Sequence, residues 1–356
     1  MSAPGHGEER RRATLIDVAA AAGVSTSSAS RALTNHPRIS EATRQRVREA
    51  ATALGFEANV QARTLRSGSS MLIGVVVPDI AIAFYASALT GAQSALEAAG
   101  YQVLVMNSKR DTAHELAALR TLYARQVDGV LLATSGGFVP GDMPVVFFDH
   151  VLRGVGLGYI APDNAGGVTA LVEHLVREHG QERIAYIGAP LRPSPNVERL
   201  EHGPANERLE AFRHAMGRAR LPVIPEYLAS GDYQWSQDSA EQAARELMAL
   251  DEPPTAIVAA SDTLALGALR GIRRSGRGVP ADVALVSFDD PVSGDLLTPG
   301  MTALARHDRE LGELGARLLL DAVSGKRKSA EAAEVRVPLE LIVRGTCGCT
   351  HQPETR

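Results

Sequence analysis

No apolar run in these 356 residues approaches the roughly 20 that cross a bilayer as a helix. The opening stretch MSAPGHGEERRR has no apolar core of the kind that directs export, so the expectation is a cytoplasmic chain with no membrane partner. Cysteine is almost missing: Cys347 and Cys349, one residue apart near the tail, are the only two. They are too few for a disulfide framework or a four-ligand zinc site and read as structurally incidental, with no metal expected. Lysine is scarce as well, limited to Lys109, Lys326 and Lys328, so any phosphate or base contact falls to arginine, whose fork suits bidentate recognition. The nucleotide and catalytic signatures G-x-x-x-x-G-K-[ST], H-E-x-x-H and G-x-S-x-G do not occur, and the first strand is not followed by a glycine fingerprint. The expectation is therefore no enzyme and no cofactor. His174 and His179, in EHLVREH, are five residues apart, off a single helical face, and read as solvated.

What the chain has is unevenly placed charge. The overall balance is −4, yet residues 1–70 hold ten arginines against six carboxylates, while the remainder holds 27 basic against 35 acidic residues. A basic head on an acidic body suits a protein that offers only its head to phosphates. Within that head, TLIDVAAAAGVSTSSASRALT (14–34) reads as two short helices around a glycine turn. Thr14 and Asp17 form a capping pair for the first, which stops at Gly23. Ser25 opens the second, where Ala29, Ala32 and Leu33 share an apolar face and Ser27, Ser30 and Arg31 a polar one. A small apolar face for close packing and a polar face for the major groove are what a helix-turn-helix needs. The alternative is an alanine-rich hairpin with no DNA role. Ser40 caps a third helix with Val47, Ala50, Ala51 and Leu54 in register, ended by Gly55.

Residues 56–70 separate this head from the body. Their Gly/Ser-rich end marks a linker, and Asn59 is placed to cap a short helix from Val60 to Arg66, too short to persist in water unless it folds against something. Either it folds on DNA or it is a flexible tether. From Met71 the pattern alternates strands and helices: strands at 72–79, 101–108, 127–134, 145–149 and 159–163, then a restart with strands at 183–190, 227–232, 256–261 and 283–290, with helices between them. The reading is a small all-α helix-turn-helix head and an α/β body of two doubly wound parallel-sheet subdomains, with ligands bound at the carboxyl ends of the strands.

The combination TLIDVAAAAGVSTSSASRALT, ISEATRQRVREAATALGF, NVQARTLRSG, IGVVVPD, VDGVLL, ASDTLALGALR and ALVSFDD resembles the LacI/GalR family of bacterial transcriptional repressors from about residue 13 to about 346. The resemblance implies a helix-turn-helix domain at 13–58, a hinge helix and linker at 59–70, and two subdomains like those of periplasmic sugar-binding proteins. The first takes 71–163 with about 292–321. The second takes 164–291 with about 322–346, including a final strand VRVPLELIVRG, and leaves a tail at 347–356. It further implies a homodimer on palindromic double-stranded operator DNA and a small-molecule effector, a sugar or sugar derivative.

By the same resemblance Thr26, Ser27 and Arg31 read bases, and Ser25, Ser28 and Ser30 meet phosphates. Arg31 matters most, being able to pair with guanine O6 and N7, unless it only solvates its helix. Asn59, Ala62 and Leu65 belong to the hinge, the last two entering the minor groove. The effector falls to Arg208, Asp163, Tyr233, Asp262 and Asp290, each carboxylate having helix capping as its alternative. Phe84 and Tyr85 stack on a sugar face or are helix-start core residues. The rival from another class, a solute-binding protein for transport, shares the body but has no use for residues 14–66.

Overall fold

The computed structural model describes residues 13–33, 36–56, 69–134, 143–150, 156–188, 203–231, 235–325 and 333–350. It contains two compact units, Met1–Ser70 and Met71–Arg356. The hinge residues Asn59, Ala62 and Leu65, the short helix expected at 60–66, and Tyr233 lie outside the described residues. No helix among the described residues is long and apolar enough to cross a membrane.

The first unit holds α1 (Leu15–Ala22), α2 (Thr26–Leu33) and α3 (Glu41–Ala53). Thr14 and Asp17 make the expected reciprocal capping box, and Gly23 ends α1 in the left-handed conformation, with φ of 65°. Ser40 caps α3 by accepting from the Thr43 N–H. Small side chains close the core: Val18, Ala19, Ala22, Ala29, Ala32, Val47 and Ala51 are buried together. Leu54, expected in that register, is 41% exposed. It follows the last helical residue, where the chain leaves the packed face toward Gly55.

In the second unit, the first sheet has the order β11-β5-β4-β3-β1-β2 and is parallel throughout: β1 (Leu72–Val77), β2 (Gln102–Asn107), β3 (Gly129–Leu132), β4 (Val145–Phe148), β5 (Gly158–Pro162) and β11 (Ala333–Val337). Period-two alternation divides its residues between two cores, Ile73, Val75 and Val77 going to one and Val76 to the other. The second sheet has the order β12-β10-β9-β8-β6-β7, built from β6 (Ile184–Gly188), β7 (Leu228–Ser230), β8 (Ala256–Ala259), β9 (Ala284–Ser287), β10 (Thr302–Ala305) and an antiparallel edge strand β12 (Glu340–Ile342). The helices are α4 (Ala83–Ala98), α5 (Thr112–Ala124), α6 (Asn164–His179), α7 (Pro204–Arg218), α8 (Gln237–Met248), α9 (Asp262–Arg274) and α10 (Asp308–Val323). Each element read from the alternation between 72 and 290 is present within a few residues of its expected limits.

The exchanges between subdomains fall elsewhere than expected. Residues 292–321 do not go to the first subdomain as a block: β10 pairs with β9 in the second sheet, and only α10 joins the first by packing on α4. Nor is VRVPLELIVRG one strand of the second. It splits at Pro338 into β11, parallel to β5 of the first sheet, and β12, antiparallel to β10 of the second. Proline has no N–H to give a ladder, so pairing stops there and the chain changes sheets. The return of α10 depends on glycine. A Cβ on Gly312 would collide with the Ala88 carbonyl and one on Gly91 with the Arg309 carbonyl, so the backbones of α4 and α10 pack directly on each other with no room for a side chain between them.

Candidate DNA-reading surface and ligand cleft

On α2, Thr26, Ser27 and Arg31 are exposed and Ser28 is half-buried. The Ser25 hydroxyl accepts from the Ser28 N–H at 3.2 Å and shares hydrogen bonds with the Ser27 and Ser28 hydroxyls, so it caps the helix and fixes the first turn. Ser30 departs from expectation: it is 8% exposed and does not belong to the outward face with Ser27 and Arg31. At 3.6 residues per turn, Ser30 lies roughly 60° from Leu33 around the axis, on the border of the packed arc. The exposed side of α2 is therefore formed by Ser25, Thr26, Ser27 and Arg31, with Ser28 half-buried beside them.

In the second unit two guanidiniums and three carboxylates form a buried cluster near strand ends. Arg208, on α7 and 3% exposed, donates from Nε to Asn164 Oδ1 (3.0 Å) and from Nη1 to the Ala260 carbonyl (2.6 Å), with its plane 3.6 Å above the Phe288 ring. Burial lowers its pKa. Arg306, just past β10, lies 3.7 Å over the Phe84 ring, with Nε 3.0 Å from Asp289 Oδ1 and 3.3 Å from Asp308 Oδ1. Burial opposes its charge, but Asp289, Asp308 and Asp149 raise its pKa overall. Asp149, after β4, accepts from the Tyr85 hydroxyl at 2.8 Å.

Among the described residues, His150 Nδ1 and Tyr186 Oη are buried without a hydrogen-bond partner, and Asp149 Oδ1, Asp289 Oδ1 and Asp308 Oδ1 are met only by Arg306 in ion pairs. Burial raises the Asp289 pKa, lifts that of Asp308 to about 7, lowers that of His150 and raises that of Tyr186. Buried polar groups normally have partners, which makes this cluster the candidate binding site of the second unit.

The structure sorts the residues expected from sequence. Arg208 is in the cluster. Phe84 and Tyr85 are buried at the start of α4, so they are core residues by burial, but Phe84 carries Arg306 and Tyr85 holds Asp149. Asp163 caps α6, accepting from the Gly166 N–H at 3.0 Å. Asp262 is not the cap of α9. Ser261 is, while the Asp262 carboxylate accepts from the Thr263 N–H and lies near enough to Asp289 to help raise its pKa. Asp290 leaves the cluster: Arg344 grips it through two hydrogen bonds, at 2.6 and 2.8 Å. Its neighbour Asp289 instead faces the two arginines.

Sequence reasoning missed Asp149, His150, Tyr186, Asp289, Arg306 and Asp308. A signal existed for Asp149, because VVFFD ends a buried strand in a carboxylate just as YIAPD does. Arg306 had none, since Thr302–Ala305 lacked a strand signature of its own. A further chain of contacts joins the two sheets. Arg336 of β11 pairs with Glu207 of α7, which accepts from Asn164 Nδ2, whose Oδ1 accepts from Arg208.

Residues 14–59 match the model of the bacterial regulatory proteins of the lacI family, and residues 172–347 that of the periplasmic binding protein-like domain. The HTH-type transcriptional repressor CytR of Escherichia coli (strain K12) is 31% identical over 349 residues, covering 95% of this chain and 97% of that protein. Among solved structures, the lac repressor dimer bound to operator and the anti-inducer ONPF superposes with a TM-score of 0.81 at 27% identity, covering 95% of this chain and 99% of the other. The complex of transcriptional regulator CelR with cellobiose has a TM-score of 0.68 at 30% identity, covering 94% of this chain and all of that one.

Proposed function

The chain belongs to the lacI family of bacterial regulatory proteins, and from that premise we propose that it acts in the cytoplasm as a repressor. It holds a pseudo-palindromic operator as a homodimer and is switched by a neutral, hydroxyl-rich molecule, a sugar or sugar derivative, bound between its two sheets. The ligand is bound and not transformed. The charge balance of the cleft carries this reading. Arg208 and Arg306 face Asp149, Asp289 and Asp308, so among the described residues the two guanidiniums are offset by carboxylates and no cationic surplus is left to favour an anionic ligand. Carboxylate oxygens accept from ligand hydroxyls, and guanidinium N–H groups donate to them. The CelR complex with cellobiose supports the class of ligand.

A helix-turn-helix reads too few bases alone, and a dimer places two recognition helices in successive major grooves. Thr26, Ser27 and Arg31 read bases in this proposal, Ser25 and Ser28 hold phosphates, and residues 59–70 form the hinge, with Ala62 and Leu65 in the minor groove. The ligand favours one relative angle of the two sheets through Arg208 and its link to Arg336, and that angle sets the spacing of the hinges in the dimer. The test is a thermal-shift screen of neutral mono- and disaccharides, nucleosides and anionic sugar phosphates, followed by operator titration with each hit. A ligand at 100 times its Kd stabilises by about 2.7 kcal/mol. Hits confined to anionic compounds, or hits that leave operator affinity unchanged, defeat the reading.

A further inference from the structure

We propose that His174, His179, Cys347 and Cys349 form a zinc site that fastens the C-terminal segment of the chain to the end of α6. Sequence alone read the cysteines as incidental and the histidines as solvated, but the fold brings all four together. One donor atom from each lies within 4.8 Å of every other. In tetrahedral zinc with Zn–S about 2.3 Å and Zn–N about 2.0–2.1 Å, sulfur and nitrogen stand roughly 3.5 Å apart. Cys349 Sγ is 3.3 Å from His179 Nε2 and 3.8 Å from His174 Nε2, on either side of that value.

The arrangement is held from both sides. His174 and His179 occupy the last two turns of α6, their rings edge to face at 5.1 Å, and the helix stops at Gly180. The cysteine segment is tied to the second sheet: Thr346 N–H donates to the Gly300 carbonyl and its own carbonyl accepts from Leu285 N–H, both at 2.9 Å. Between the cysteines Gly348 takes a φ of 108°, and any Cβ there would press on the His179 ring. That glycine lets both thiols point to one side. Thr302 donates its hydroxyl to Cys347 Sγ at 3.2 Å, the kind of outer contact that steadies a metal-bound thiolate.

The donor set chooses the ion. Two thiolates and two imidazoles neutralise a divalent charge and suit zinc, whereas magnesium and calcium take oxygen. Cys347 is buried, but the other three residues are half-buried, which leaves a way in. None of the four takes part in the proposed cleft, so this site stands apart from the assignment of ligand there.

The experiment uses the untagged full-length chain, loaded with Zn2+, desalted and assayed for metal, then reloaded with Co2+ and followed by absorption. The expected result is a single zinc per chain, a thiolate-to-cobalt charge-transfer band with tetrahedral d–d bands, and a lower melting temperature after chelation. C349S and H179Q, which spare buried Cys347, should each lose the retained zinc and the charge-transfer band while keeping the native circular dichroism. If neither variant folds, the cobalt spectrum of the wild type decides alone. The proposal is overturned if the wild type retains no metal, if both variants retain it equally, if cobalt shows no thiolate band, or if anaerobically purified protein carries a Cys347–Cys349 disulfide.

Discussion

Three side chains separate the roles of head and cleft. Arg31 is exposed on α2, and Arg31→Ala should cost about 1–3 kcal/mol of discrimination at one position per half-site while nonspecific binding persists. Binding to a library of single-base operator variants checks this; uniform weakening would make Arg31 a phosphate contact. Arg208→Ala should leave operator binding in place and weaken the effector by roughly 10- to 150-fold, as expected for loss of a charged hydrogen bond of about 1.5–3 kcal/mol. Isothermal titration of wild type and variant with a screened ligand reads it directly. Asp308 has a pH signature. Burial lifts its carboxyl to about 7, with Arg306 opposing, so between the ordinary carboxylate range and pH 7 the native state keeps a proton that the unfolded chain releases. Stability from this group is therefore present at low pH and lost as pH rises toward 7. Urea unfolding between pH 5 and 7.5 should show the wild type losing stability relative to Asp308→Asn, and parallel curves would contradict it.

At the scale of elements, the local signals were the reliable ones. The Thr14 capping box, the Gly23 stop and the Ser40 cap depend on neighbours a few residues away, so they were readable in sequence and are present in the structure. Ser30 and Leu54 were misjudged because their burial is decided by how far a partner helix extends, which helical periodicity does not encode. The pairing of α4 with α10 is likewise invisible locally, being made by residues more than two hundred positions apart. It yields a sharp expectation. Gly312→Ala drives a methyl into the Ala88 carbonyl, so the helices must separate, and the second unit should lose about 1–3 kcal/mol or more. Thermal or urea unfolding of the variant measures it, and an unchanged midpoint would mean that α10 can slide.

For the whole molecule, the link from Arg336 through Glu207 and Asn164 to Arg208 connects a strand of the first sheet to α7. Arg336→Gln should leave ligand affinity within a few-fold of wild type but shrink the change in operator affinity that the ligand produces. Typical couplings of 1–3 kcal/mol correspond to about 5- to 150-fold. Operator titration with and without ligand tests it, and full retention of the change would place the coupling elsewhere.

The sequence by itself determined the helix-turn-helix and the two runs of alternating strands and helices. Those depend on short-range periodicity, capping and a recognisable order of motifs. Only the tertiary structure decided which of two adjacent carboxylates, Asp289 or Asp290, turns toward the arginines. It also decided that Arg306 returns from residue 306 to sit over Phe84, and that two histidines on one helix meet two cysteines some 170 residues later. The reason is the same in each case. A strand shows its period in the sequence, but the partner a side chain meets at the strand's end is set by where distant segments re-enter the fold.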